Sequence, residues 1–180
     1  MTCDDRVKLW NESVRFHGHS CPGLAMGVRI ALDYKETINL CGRAEDEEIV
    51  AVAETDACGI DGIQSVLGCT VGKGNLLLCQ RGKHAFTLFQ RSGGQGLRYS
   101  WKGSSPEGLN REAKTDYFLN GPKDDLYNVE PARFALPPKA ALHVSAQCAQ
   151  CGELTAEPHL WAKAGQTLCR ECAGEALHCG

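Results

Sequence analysis

Four cysteines near the end of the chain are spaced for one metal ion. Cys148 and Cys151 are separated by two residues, seventeen residues follow, and Cys169 and Cys172 repeat the spacing. Each CxxC turn points two sulfurs at one place, and a hairpin between the pairs brings the second opposite the first, as a tetrahedral zinc site requires. Gly152, directly after the second cysteine, gives the knuckle its freedom in φ. The second pair opens a predicted helix over 170–177, whose N-terminal dipole favours thiolates. Knuckle, hairpin and helix together describe a treble-clef finger. So short a segment buries too little surface to fold alone, so a metal staple is expected. Zinc is the expected ion, and iron in a rubredoxin-like site is its competitor, because tetrahedral sulfur accepts either. His159, His178 and Cys179 lie nearby and read as surface residues.

A second constellation opens near the N-terminus with His17-Gly18-His19-Ser20-Cys21-Pro22-Gly23. Two imidazoles at i and i+2 can face one ion from an extended backbone. Cys21 falls at a predicted helix start, where the dipole and free N–H groups depress a thiol pKa. Cys58 follows a predicted strand in Glu54-Thr55-Asp56-Ala57-Cys58-Gly59, where open sheets place ligands. His17, His19 and Cys58 would supply three ligands and leave one position open, the mark of a catalytic rather than a closed structural site. Sulfur with two imidazoles suits a second transition metal, zinc or nickel (or copper), better than magnesium or calcium. Cys21, Cys58 and Cys69 are the candidate catalytic thiols. Asp56 is a candidate orienter and Lys73 a candidate anion partner.

The stretch from Gly68 to Asn75 is glycine-rich around Lys73, which suits an anionic group but lacks the Walker spacing of a nucleotide site. The plainer alternatives are a flexible turn here and a helix cap with a packed turn at the His/Cys cluster. Cys3, Cys41 and Cys79 have no partner pattern and read as packed or incidental.

These residues need elements to hold them. Apolar residues at helical spacing predict a helix over 5–16 and a second from Pro22, where the missing N–H costs nothing. Residues 48–54 read as a buried strand, followed by a short helix bearing Ile60, Ile63 and Leu67. Strands over 75–80, 84–91 and 96–101, separated by glycine-rich turns, read as an antiparallel meander. A helix spans 106–120 with Gly121-Pro122 as its stop. Pro131, Pro137 and Pro138 interrupt 129–139, which reads as a semi-rigid linker. The class is α+β, a mixed β-sheet flanked by helices, plus a small C-terminal treble-clef zinc-binding domain. The expected division is a core over 1–135, a linker over 136–142 and the finger over 143–180.

Bulk properties narrow the function. A net charge of −3 argues against a nucleic-acid binder, and of the two versions of a third reading, the finger as a nucleic-acid or a protein docking module, it counts against the first. No apolar run reaches the roughly 20 residues of a membrane span, and the acidic N-terminus is unlike a secretory signal, so a cytoplasmic protein is expected. Eleven cysteines, an odd count, point to metal or redox chemistry in a reducing, anaerobic cell rather than a disulfide framework.

Three ordered motifs carry a resemblance: His17-Gly-His19-Ser-Cys21-Pro22-Gly23, Thr55-Asp56-Ala-Cys58-Gly-Ile-Asp61-Gly-Ile63-Gln64, and Gly68-Cys69-Thr70-Val-Gly72-Lys73-Gly74-Asn75-Leu76. Over about residues 10–135 the chain resembles the E-subunit family of formylmethanofuran dehydrogenase, and its finger is similar to one that many members append. The resemblance implies an intertwined homodimer and, in some organisms, association with the subunits of the molybdenum redox enzyme that reduces CO2 onto methanofuran. Molybdopterin and iron–sulfur wiring belong to other subunits there, and this chain has no C-x2-C-x2-C-x3-C-P run. The expected role is an accessory metal-binding protein. The alternative is a stand-alone enzyme using a thiolate or a metal on a small substrate.

Overall fold

The computed structural model describes residues 5–93 and 95–176. The chain divides into two units, Met1–Ala140 and Ala141–Gly180.

In the larger unit α1 (Arg6–His17) starts where the Asp5 carboxylate accepts from the Lys8 N–H, and it ends at Gly18, whose φ of 90° a side chain would resist. Only four residues later α2 (Pro22–Thr37) begins, with Pro22 in its first turn. β1 (Ile49–Ala53) leads into α3 (Gly59–Leu67), and β2 (Leu76–Leu78), β3 (Ala85–Gln90) and β4 (Leu97–Trp101) follow. α4 (Arg111–Asn120), the short α5 (Lys123–Leu126) and β5 (Tyr127–Pro131) complete the unit.

The sheet runs β2-β1-β3-β4-β5, with β2 parallel to β1 and every other pair antiparallel. The chain is therefore α+β with a mixed sheet, as expected. The meander is displaced from the one the sequence suggested. β1, α3 and β2 form a crossover unit, and the antiparallel strands that follow one another in the chain are β3, β4 and β5, with β3 also antiparallel to β1. A parallel partner needs such a crossover, and α3 supplies it.

The five residues of β1, Ile-Val-Ala-Val-Ala, are all buried because both sheet faces are covered. Ile49, Ala51 and Ala53 join Phe86, Leu88 and Tyr99 beneath the helices, while Val50, Val52 and Phe89 face Leu77, Ala132 and Leu136. The helices thus line one face. The segment after β5 covers the other, where Arg91 Nη1 donates to the Pro137 carbonyl at 3.0 Å and Nη2 to Pro138 at 3.2 Å. The stretch read as an irregular linker from Val129 begins instead with the end of strand β5, whose Pro131 is tolerated because the strand is at an edge. The helix expected from Pro106 starts only at Arg111, since Asn110 caps it by accepting from the Ala113 N–H at 2.8 Å.

Glycine sets the distance between α2 and α3. A Cβ on Gly27 would lie 1.9 Å from the Gly59 carbonyl oxygen, and one on Gly62 would lie 2.4 Å from the Val28 nitrogen. Only bare backbone lets the helices approach so closely. Midway along α2, the Arg29 guanidinium binds Asp33 at 2.8 Å and the Leu119 and Gly121 carbonyls at 3.0 and 2.9 Å, fastening α4. The Tyr127 hydroxyl donates to the same Asp33 carboxylate.

In the smaller unit β6 (Ser145–Gln147) pairs with β7 (Leu154–Ala156), and β8 (Leu160–Lys163) pairs with β9 (Gln166–Cys169). The predicted helix after Cys169 is, over the described residues, a turn. Its bonds are Ala173 N–H to the Cys169 carbonyl and Gly174 N–H to that of Glu171, and Gly174 has a φ of 101° that no helix continues through. Leu177, His178, Cys179 and Cys3 lie outside the described residues.

Two outcomes follow. Gly27→Ala should lower the core's stability by about 2–3 kcal/mol, because the added methyl meets backbone rather than a yielding side chain; an unchanged urea midpoint would contradict the crossing. The Arg98 guanidinium, at 2.6 and 2.9 Å from the Glu54 carboxylate, holds that carboxyl below its ordinary value. That contribution is full above the unfolded carboxylate value, about 4.3, and is lost as pH falls through the lower folded value. Glu54→Gln should remove part of the acid-unfolding limb, measured as stability against pH.

Candidate metal centres

The Cys148, Cys151, Cys169 and Cys172 sulfurs all lie within 4.8 Å of one another, and none is in a disulfide. The knuckle between β6 and β7 places the first pair: the Gly152 N–H bonds the Cys148 carbonyl at 2.9 Å, and Gly152 has a φ of 77°. The end of β9 and the turn after it place the second pair. The Ala149 N–H donates to the Thr167 carbonyl at 2.9 Å, tying the knuckle to β9.

Sulfurs around one zinc are about 3.8 Å apart, given Zn–S bonds of about 2.3 Å. The Cys151–Cys169 separation is 3.9 Å. Backbone N–H groups of Cys151 and Cys169 pull the Cys148 thiol down to about 6, while hydrogen bonding to Cys169 and then burial push Cys172 up to about 12. One sulfur of the four ionises readily and another resists, so full ionisation requires a cation among them. The donor set fits a metal such as zinc.

In the larger unit the ligand atoms of His17, His19 and Cys21 also lie within 4.8 Å of one another. The short break between α1 and α2 produces this trio: His17 is the last residue of α1, Gly18 turns the chain, and Cys21 caps α2 by accepting from the Leu24 N–H at 3.3 Å. The imidazoles are 4.5 Å apart between ring centroids.

The Asp61 carboxylate in the first turn of α3 lies 2.6 Å from His17 Nδ1. A carboxylate only accepts, so Nδ1 carries the proton, and in the neutral ring Nε2 is the nitrogen with the lone pair. Nε2 lies 3.7 Å from the Cys21 sulfur. A nitrogen and a sulfur bound tetrahedrally to one zinc are about 3.6 Å apart. A carboxylate fixing the tautomer of a ligating histidine is the usual outer support of such sites. Asp61 lies within a motif of the sequence, but nothing in its spacing assigns it to His17. That pairing exists only because α3 crosses α2 closely.

The sulfur grouped with the two imidazoles is thus Cys21, where spacing pointed to Cys58. Cys58, immediately before α3, is the neighbouring thiol. A Cβ on Gly23 would be 3.7 Å from the Cys58 sulfur and 4.0 Å from that of Cys21. Burial, and then the Cys21 thiol, raise the Cys58 pKa.

Cys69 is placed elsewhere, fully buried with its thiol donating to the Ile49 carbonyl at 3.4 Å, and burial pushes it up to about 12. Such a thiol stays protonated and unreactive at neutral pH. Asp56 accepts from Gln80 at 3.3 Å at the surface rather than meeting the trio. Lys73 Nζ donates to the Asp46 carbonyl at 3.1 Å. Cys79 is exposed, Cys41 is disulfide-bonded rather than incidental, and His159 is exposed.

A family model described as FmdE, molybdenum formylmethanofuran dehydrogenase operon, matches residues 16–128. A protein of Archaeoglobus fulgidus named "Probable S-adenosyl-L-methionine-binding protein" is 27% identical over 201 residues, covering 93% of this chain and 53% of its own length. The chain therefore spans about half the length of that curated relative. A crystal structure of an FmdE-like protein of the tungsten formylmethanofuran dehydrogenase type, from Syntrophus aciditrophicus, shares the fold, with a TM-score of 0.68 at 23% identity, covering 97% of this chain and 95% of that one.

The four-sulfur geometry has a direct test. Cys169→Ser should lose the smaller unit's ion under mild chelation, read as zinc released to a chromogenic chelator, while wild type retains it. Full retention by the variant would contradict a shared site.

Proposed function

The chain belongs to the FmdE family, and from that premise we propose that it is an accessory metal-binding protein of anaerobic one-carbon redox metabolism, of the kind associated with molybdenum formylmethanofuran dehydrogenase. The observation that carries the reading is the His17 ring, pinned at Nδ1 by Asp61 so that Nε2 faces Cys21 with His19 alongside. His17, His19 and Cys21 hold a zinc or nickel ion, and Cys58 is the second sulfur beside it. The four cysteines of the smaller unit hold a structural zinc.

An ion in the larger unit would supply Lewis-acid chemistry to a group in its remaining position. The protein's own residues do the rest. Asp61 keeps the proton on Nδ1, and the Leu24 N–H supports negative charge on the Cys21 sulfur. The working form is a cytoplasmic homodimer, and the molybdenum and iron–sulfur groups of the associated enzyme reside in other subunits. No helix among the described residues is long and apolar enough to cross a membrane.

A second reading, a stand-alone enzyme acting on a small substrate, is favoured by the coordination position that three ligands leave open. Turnover by the isolated, metal-loaded chain would select it over the accessory role.

Anaerobically purified protein should hold two ions per chain. Asp61→Asn should weaken the core ion's binding 10–100-fold while leaving the finger's ion in place. Equal affinity in the variant and wild type, measured by competition with a chelator, would sink the core site. Cys21→Ser should lose more core metal than Cys58→Ser, and the reverse order would make Cys58 the principal sulfur. A sedimentation mass near twice the 19.5 kDa chain is expected, and a monomer at micromolar concentration would contradict the dimer.

A further inference from the structure

A cleft of about 670 Å³ opens in the larger unit between α1, α3, the segment before β1 and the loop before β2. Three cations line it, each from a different part of the chain: Arg15 on α1, Arg43 in the segment before β1, and Lys73 in the loop before β2. Glu12 is the single acid among the lining residues, so the lining has a net charge of about +2. Neither Arg15 nor Arg43 is in an ion pair among the described residues. Phe16, itself exposed, gives the cleft an aromatic flank.

The glycine-rich loop contributes its cation rather than its backbone. Three of its N–H groups are spent internally: Thr70 to the Asn75 side chain, Lys73 to the Thr70 hydroxyl, and Gly74 to the Val71 carbonyl. An anion here is therefore held by side-chain charge, with the Thr70 and Gln64 side chains on the wall.

We propose that this cleft binds a phosphorylated small molecule, its phosphate among Arg15, Arg43 and Lys73 and an apolar or aromatic part against Phe16. A phosphate monoester carries about −1.5 to −2 at neutral pH, which matches the lining charge where a single carboxylate does not. The size falls within that of small-molecule sites, about 300–1,000 Å³. Guanidinium groups also match phosphate oxygens in geometry. The inference stands apart from the metal reading, although Gln64 touches both places: it lines the cleft, and its Nε2 lies 3.4 Å from the Asp61 carboxylate that holds His17.

The test is calorimetric titration of the full, metal-loaded chain with phenyl phosphate at low ionic strength, where exposed cations are least screened. Saturable binding of one phenyl phosphate per chain is expected, weaker with inorganic phosphate, which lacks the ring, and weaker with benzoate, which lacks the second charge. The double variant Arg15→Gln, Arg43→Gln changes two exposed side chains and should weaken phenyl phosphate binding tenfold or more. The double variant Arg111→Gln, Arg133→Gln, the same charge change outside the cleft, should leave it unchanged. Metal-stripped protein should bind as the loaded protein does. The proposal is overturned by no saturable binding to wild type, by a double variant that binds like wild type, or by benzoate binding as tightly as phenyl phosphate. It is also overturned by binding that vanishes with the metal yet survives in the double variant, because the phosphate would then sit on the ion.

Discussion

The close crossing of α2 and α3 is the constraint on which the core site depends. Gly27 and Gly62 leave no room for a methyl group between the helix backbones. That contact sets the N-terminus of α3 beside the N-terminus of α2. Cys58 is thereby brought next to Cys21, and Asp61 reaches the imidazole at the end of α1. Residues 44 positions apart then act as one unit, although neither His17 nor Asp61 would have a defined orientation alone. The sheet supports this arrangement, because the buried helix-facing side of β1 gives both helices a common floor.

The two donor sets differ in the way that closed and open metal sites differ. Four sulfurs on two turns satisfy an ion completely, and the small unit around them has few buried side chains beyond Cys148, Leu168, Cys169 and Ala173. So small a core leaves much of its order to be supplied by an ion held among the four sulfurs, as the donor set would allow. The core trio is the converse. It sits on helices and a sheet that bury a large apolar core, and its three mixed nitrogen and sulfur donors would leave a tetrahedral ion one open position.

Much of this was legible in the sequence where local rules govern. The helix before His17, the proline-started helix after Cys21 and the paired CxxC turns each follow from spacing and capping chemistry within a few residues. The chain's motifs also placed His17, His19 and Cys21 on a single short stretch. What spacing could not give were the relations set by tertiary packing. The Asp61–His17 bond depends on how closely two helices cross, and the choice of Cys21 over Cys58 as the grouped sulfur depends on a few ångströms of that crossing. The parallel position of β2 and the edge strand β5 likewise come from pairing partners distant in sequence. Pro131 masked the latter, because a proline forbidden in a central strand is harmless at an edge. Cys69 shows the opposite failure: a motif cysteine whose burial removes it from chemistry.

The central claim is a second, mixed-donor metal centre in the core. X-ray absorption at the metal edge, on anaerobically purified protein whose finger site has been removed by serine substitution at Cys169 and Cys172, addresses it most directly. The account predicts a bound transition metal whose nearest shell contains two imidazole nitrogens at about 2.0–2.1 Å and at least one sulfur at about 2.3 Å. Protein that folds but carries no metal, or a metal surrounded by oxygen and nitrogen with no sulfur, would contradict it.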